Sequence, residues 1–184
     1  PSSLKKVTIT GGNILYGAFE NCGNLTSITI PESVTSIGER AFYNCSGLTN
    51  ITIPESVTYI GRSAFYGCTA LQYNEYESAL YLGNENNPYI VLVKVKDTSL
   101  IDYTINQNAK FIYANAFSDC RDLTSITIPE SMTSIGEDAF NTCSRLNSVY
   151  ITDLNKWCNI SFGNSSANPL HYAGNLYLNG DLAT

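Results

Sequence analysis

Apolar residues return along this chain in blocks of about 23 residues, with nearly the same polar residues between them. One block opens at Leu25 and reads LTSITIPESVTSIGERAFYNCSG, the next opens at Leu48, and a third of the same type opens at Leu123. Self-similarity at a fixed period of this size is typical of solenoids and other repeat arrays. The pattern therefore predicts a repeat protein whose units bury their apolar faces against one another.

Within a block, the spacing of apolar positions predicts the local structure. Leu25, Ile28 and Ile30 fall on one side of a strand, while Ser27 and Thr29 point the other way. The following proline ends the strand, because it cannot donate a ladder hydrogen bond. A second short extended segment closes at a glycine corner, and the stretch ERAFYNC then predicts a helical turn with its Ala, Phe and Cys on one side.

More diverged units extend the array in both directions. They begin at Leu4, Leu71, Leu100 and Leu146, and a last partial unit carries Leu176, Leu178 and Leu182. We predict seven coils and the start of an eighth. The predicted organisation is coils over residues 1–71, a β-hairpin insertion over residues 72–99, coils over residues 100–151, and a diverged coil with a truncated next repeat over residues 152–184.

The two breaks in the array have distinct sequence patterns. In the first, Tyr76–Leu82 and Tyr89–Lys96 each predict a strand, joined by a turn-rich segment of Gly, Asn and Pro. This hairpin either presents its tyrosines to a ligand or packs them onto neighbouring coils. In the second, a short helix is predicted to turn Trp157, Cys158 and Phe162 inward.

The repeat motif ITIPxSVTSIGxxAFxxC resembles the BspA-like subfamily of leucine-rich repeats, common in surface proteins of anaerobic bacteria and some protozoan parasites. The resemblance covers about three quarters of the chain. It implies a right-handed, β-rich leucine-rich repeat solenoid with a parallel β-sheet on one face and short extended segments and helical turns on the other. It further implies a bacterial adhesion or protein-binding module at the cell surface or secreted. The family has no catalytic motif, so no enzymatic activity is expected.

Composition narrows the classes of partner. Charged residues make up 14% of the chain, and the formal net charge is -6. The ten lysine and arginine residues are scattered, whereas a nucleic-acid or anionic-membrane surface needs them clustered. No apolar run reaches the 18 residues or so of a membrane-spanning helix. Neither nucleic-acid binding nor membrane insertion is expected.

The six cysteines and the single histidine do not form a recognisable site. Five cysteines occupy one repeat position, which predicts a ladder of buried thiols: Cys22, Cys45, Cys68, Cys120 and Cys143. Cys158, beside Trp157, is expected to be buried in the same way. Zinc sites favour short C-x₂₋₄-C pairs, and His171 has no motif partner for catalysis. No metal or cofactor is expected.

Candidate binding residues lie at outward strand positions, where most side chains are small hydroxyls. Four larger or charged residues interrupt that series and are the candidate ligand contacts: Tyr73, Glu75, Asp102 and Tyr150. Aromatic rings beside polar groups are typical of protein or glycan recognition. The expected partner is a protein or glycan of a host or neighbouring cell, bound by a monomer. The alternatives are a structural spacer with no ligand of its own, and end-to-end association through uncapped ends.

Overall fold

The structure, a computed structural model, describes residues 3–183. The chain forms two compact units. Unit 1 contains the residues up to Asn74 together with Leu82–Pro88, and unit 2 contains Glu75–Tyr81 and the residues from Tyr89 onward. Both are built from solenoid coils with short parallel strands and little helix, which confirms the predicted fold class. No helix within residues 3–183 is long and apolar enough to cross a membrane.

From residue 3 onward, unit 1 contains five short strands: β1 (Lys6–Thr8), β2 (Ser27–Thr29), β3 (Ser36–Ile37), β4 (Asn50–Ile51) and β5 (Tyr59–Ile60). The strands β1, β2 and β4 form one parallel sheet, and β3 pairs in parallel with β5. Lys6 pairs with Ser27, and Ser27 pairs with Asn50. Equivalent repeat positions therefore stand beside one another on successive coils.

Unit 2 contains the remaining strands: β6 (Asn74–Tyr76, whose first residue belongs to unit 1), β7 (Ala79–Leu82, whose last residue does), β8 (Val91–Val95), β9 (Asp102–Thr104), β10 (Phe111–Ile112), β11 (Ser125–Thr127), β12 (Ser134–Ile135), β13 (Ser148–Ile151), β14 (Ser161–Phe162), β15 (Asn175–Leu178) and β16 (Asp181–Leu182). One sheet has the order β14-β12-β10-β8-β7-β6, and the other has the order β16-β15-β13-β11-β9. The second sheet is parallel from β9 to β15, and β16 closes it in the antiparallel direction.

The repeated phenylalanine forms an aromatic ladder inside each unit. In unit 1, the ring of Phe42 lies 5.4 Å from that of Phe19 and 5.8 Å from that of Phe65, with nearly parallel planes. In unit 2, the rings of Phe117 and Phe140 lie 5.0 Å apart. Each coil supplies one ring to this core, so the coils are stabilised mainly by their immediate neighbours.

Consecutive turns form the predicted helical turn in the regular coils, whereas the diverged coil after Gly163 has 3-10 helices at Ser165–Ala167 and Pro169–His171. In residues 38–45, the amide of Phe42 donates to the carbonyl of Ala64 on the next coil at 2.9 Å, and that of Asn44 donates to Tyr66 at 2.7 Å. The amides between them, such as that of Tyr43, donate within their own turn, as every amide of a regular helix would do. Asn44 takes a φ of 56°, in the left-handed region, so the backbone leaves a right-handed helical path at this residue. Hydrogen bonding between coils therefore overrides the local helical pattern.

The segment around residues 72–99 joins a sheet of unit 2. The predicted strand Tyr76–Leu82 is interrupted by a two-residue turn in which Glu77 has a φ of 49°, and β6 and β7 on either side of that turn are neighbours. At the predicted strand Tyr89–Lys96, β8 pairs in parallel with β10 through Val91 and Phe111. The second strand of the predicted hairpin thus occupies a coil position and does not project.

The predicted C-terminal helix is present as α1 (Leu154–Cys158), and the side chain of Asp153 caps it by accepting from the amide of Lys156 at 3.0 Å. Trp157 is buried and packs edge-on against Phe162, with ring centroids 5.5 Å apart. Cys158 is exposed, so the prediction that it turns inward is wrong. Successive helical residues point about 100° apart, and burial of Trp157 directs its neighbour outward.

Candidate binding surface

The outward side of the β9-β11-β13-β15 sheet carries two rows of aligned side chains. Strand register places the first row at Asp102, Ser125, Ser148 and Asn175, and the second at Thr104, Thr127, Tyr150 and Tyr177. The residues between the rows on the first three strands are the buried Tyr103, Ile126 and Val149. This alternation anchors the sheet from within and leaves the two rows available for contact with a ligand.

Two tyrosines form a stacked pair at one end of the second row. The rings of Tyr150 and Tyr177 lie 4.8 Å apart with an angle of 18° between their planes, because β13 and β15 pair in register. Beside them, the side-chain nitrogen of Asn175 donates to the side-chain oxygen of Asn147 at 2.9 Å. The two rings form an apolar platform that is bordered by amide and hydroxyl groups.

The carboxylate of Asp102 lies on the same sheet face. Asp102 is exposed and sits two strands and two residues away from Tyr150. A strand spacing of about 4.8 Å and a rise of about 3.3 Å per residue give a backbone separation of roughly 12 Å. One ligand can therefore span both candidate residues.

The other two candidates lie elsewhere. Tyr73 belongs to unit 1, where it is half-buried, and burial raises its pKa. Glu75 lies on β6 in the six-stranded sheet of unit 2, where its carboxylate pairs with the ammonium group of Lys96 at 2.8 Å. Both members of that ion pair are substantially exposed, so solvent screens their attraction. The structure thus brings Asp102 and Tyr150 together on one sheet and places Tyr73 and Glu75 off it.

Tyr177 is a surface residue that sequence reasoning missed. It stands between Leu176 and Leu178, whose spacing predicts the start of a further repeat. The residue between two inward leucines of a strand points outward, and the repeat register aligns it with Tyr150. Strand alternation and the repeat register therefore predict the outward position of Tyr177 from the sequence.

The buried cysteines do not provide reactive groups. All five ladder cysteines are free and buried, as predicted. Burial raises the pKa of Cys45 and Cys120 to about 11 and that of Cys68 and Cys143 to about 12. These thiols stay protonated at neutral pH, and the thiolate is the form that acts as nucleophile or metal ligand. Within residues 3–183, no three His, Cys, Asp or Glu side chains cluster as a metal site would require.

Known proteins similar to this chain share its repeat. The family model described as the BspA type leucine-rich repeat region matches residues 2–86 and 95–177 in six copies. The chain is similar to the leucine-rich repeat protein of T. pallidum, with 25% identity over 87% of this chain and 73% of that one and a TM-score of 0.45. It is also similar to a leucine-rich repeat protein of Bacteroides ovatus, with 28% identity over 88% of this chain and 46% of that one and a TM-score of 0.45.

A further similar structure is a leucine-rich cell surface protein of Faecalibacterium prausnitzii, with 26% identity over 86% of this chain and 62% of that one and a TM-score of 0.39. The chain therefore spans less than two thirds of the F. prausnitzii protein and about half of the B. ovatus protein. A comparison with curated proteins finds no significant match.

Proposed function

We propose that this chain, which belongs to the BspA-type leucine-rich repeat family, is a non-catalytic module that binds a partner protein through the outward face of the β9-β11-β13-β15 sheet. A repeat of this kind supplies a scaffold for protein interaction. The finer proposal is that the module works at a cell surface or after secretion and attaches to a protein of a host or neighbouring cell.

The stacked pair of Tyr150 and Tyr177 carries this proposal. Tyrosine offers a large rigid contact area with a hydroxyl at its end, and it is enriched at protein interfaces. The pair stands in rows otherwise made mainly of hydroxyl, amide and carboxylate groups. An aromatic anchor bordered by polar groups is an arrangement found at binding hot spots.

The experiment measures attachment of the purified chain, as a monomer confirmed by sedimentation, to a panel of extracellular matrix proteins and cultured host cells. Tyr150→Ala and Tyr177→Ala are each expected to weaken attachment about 10-fold or more, because a hot-spot tyrosine contributes at least about 1–2 kcal/mol. Tyr66→Ala is the matched control. Tyr66 also stacks on another tyrosine, Tyr43, at 5.2 Å and is exposed, but it lies in unit 1.

The outcomes separate the proposal from its alternatives. Loss of attachment in the two unit 2 variants, with normal attachment of Tyr66→Ala, supports the proposed surface. Attachment to a glycan array with none to the proteins would assign the surface to glycans. If the intact chain attaches to nothing in the panel, the spacer function replaces the binding function.

A further inference from the structure

A groove of about 350 Å³ opens in unit 1 where its three-stranded sheet ends. In the part of the chain that the structure describes, β4 is the last strand of this sheet. The groove is lined by β4 with Thr52, by Gln72–Asn74, and by Leu82–Asn84 with Glu85 and Pro88, all of which belong to unit 1. Its volume is at the lower end of the range of about 300–1,000 Å³ typical of ligand sites.

Neighbouring segments already form hydrogen bonds with the backbone at both ends of the β4 edge. At one end, the amide of Gln72 donates to the carbonyl of Thr49 at 3.0 Å. At the other end, the amide of Ile53 donates to the carbonyl of Gly83 at 2.9 Å, and the side-chain nitrogen of Asn84 donates to the carbonyl of Ile53 at 3.0 Å. The loop thus supplies the hydrogen bonds that a further strand would make at that position.

Ile51 lies between these two ends. In a strand that pairs in a parallel ladder, alternate residues direct their N–H and C=O groups to the same side. Ile53 directs both groups toward the loop, so the N–H and C=O of Ile51, two residues earlier, are directed into the groove. An edge that presents a backbone donor and acceptor is a template for the addition of another strand.

The far wall of the groove is preformed. The side-chain oxygen of Asn84 accepts from the amides of Asn86 and Asn87 at 2.9 and 2.8 Å. The side-chain nitrogen of Asn74 donates to the carbonyl of Pro88 at 3.0 Å. Gly83 is required because a Cβ atom there would lie 2.1 Å from the carbonyl oxygen of Asn87. A wall fixed in this way reduces the entropy lost when a ligand binds.

We propose that this groove binds an extended peptide segment of a partner protein as an added parallel strand. The N–H of Ile51 donates to one carbonyl of the peptide, and the C=O of Ile51 accepts from the N–H two residues further along it. The amides of Asn50, Gln72 and Asn74 border the groove, and the one charged side chain among the lining residues is Glu85. The preferred peptide is therefore neutral or basic. All these residues lie in unit 1, so the site is separate from the surface proposed in unit 2.

The probe is the acetylated and amidated tripeptide SIT, which has the sequence of β2, the strand that pairs with β4, and is short enough to lie between the two occupied ends of the edge. In the register of Ile28 with Ile51, its threonine donates to Ile51 and its isoleucine directs its N–H away from β4. Titration into the ¹⁵N-labelled chain is expected to shift the amide signals of Ile51, Gly83 and Asn84. An ester in place of the amide at the threonine should weaken binding about 3–10-fold, because it removes one hydrogen bond. The same ester at the isoleucine should leave binding unchanged.

A matched pair of chain variants completes the test. Asn50→Arg places a bulky side chain at the groove and should weaken peptide binding at least about 10-fold. Thr8→Arg is its control, since Thr8 is likewise an exposed strand residue of this sheet but lies on β1. Tyr150→Ala should bind the peptide normally, so loss of the unit 2 surface and loss of this groove are distinguishable.

Three results would overturn the proposal. The first is that these signals do not shift at about 1 mM peptide, a concentration that detects binding of about -4 kcal/mol. The second is equal binding of the two ester peptides, and the third is that N,N'-diacetylchitobiose shifts the signals while the peptide does not. The last result would assign the groove to a glycan.

Discussion

Replacement of Phe42 by alanine tests whether the coils are held together by contacts between neighbours. Phe42 is fully buried at the centre of the unit 1 ladder and stacks on a ring at each side. Truncation of a buried phenylalanine costs about 3–5 kcal/mol. Phe19 occupies the same repeat position on the first coil, is only half-buried, and stacks on Phe42. Since full burial of such a side chain contributes about 1.5–3 kcal/mol, Phe19→Ala should cost only about 1–2 kcal/mol.

The free energy of unfolding is measured by urea titration with far-UV circular dichroism for both single variants and the double variant. Phe42→Ala should cost about 1–4 kcal/mol more than Phe19→Ala. The coupling energy of the double-mutant cycle should be about 0.5–1.5 kcal/mol, the typical contribution of an aromatic pair. Equal losses for the two single variants, or a coupling energy of zero, would refute the argument that stability comes from ring stacking between adjacent coils.

The remaining predictions concern buried polar groups. Thiol labelling of the native chain at pH 8 should modify the exposed Cys158 and leave the buried thiols unmodified, so labelling of more than one cysteine would contradict their burial. Burial raises the pKa of Cys68 and Cys143 from 9.0 to about 12, so their contribution to stability is complete below pH 9 and lost as the pH rises toward 12. Urea titrations from pH 8 to 11 should show this decline, and constant stability would contradict it. Tyr103→Phe should cost about 1–2 kcal/mol, because the buried hydroxyl of Tyr81 loses the hydrogen bond at 3.2 Å and keeps only the longer one, which it accepts from the amide of Asn106 at 3.5 Å. An unchanged urea midpoint would show that this hydrogen bond contributes nothing.

The strands could be predicted from the sequence because their signal is local and repeated. Leu25, Ile28 and Ile30 are all buried, and β2 lies between Leu25 and Ile30 as the spacing requires. The turns after each glycine corner could not be predicted in the same way. Alternate amides of these turns donate to the next coil and the others donate within the turn, and no spacing within ERAFYNC expresses that division.

The candidate surface was partly accessible from the sequence. Tyr150 and Asp102 were found because they interrupt a series of hydroxyls, and Tyr177 follows from the same register. The groove beside β4 could not be predicted from the sequence. Leu71 begins a coil that looks regular, and Gln72 still hydrogen-bonds in register to Thr49. The sheet nevertheless ends at β4, because the segment that follows pairs with β7 instead of continuing the ladder.

The most direct test of the proposed binding surface is a hydrogen-exchange footprint of the chain in complex with a partner captured from the matrix-protein panel. Exchange is compared with and without the partner for peptides covering residues 147–151 and 175–178, which contain the two stacked tyrosines. We predict that both peptides are protected in the complex and that the peptide containing Tyr66 exchanges as in the free chain. Protection confined to unit 1, or a tight complex with unchanged exchange in both unit 2 peptides, would contradict the assignment of binding to this face.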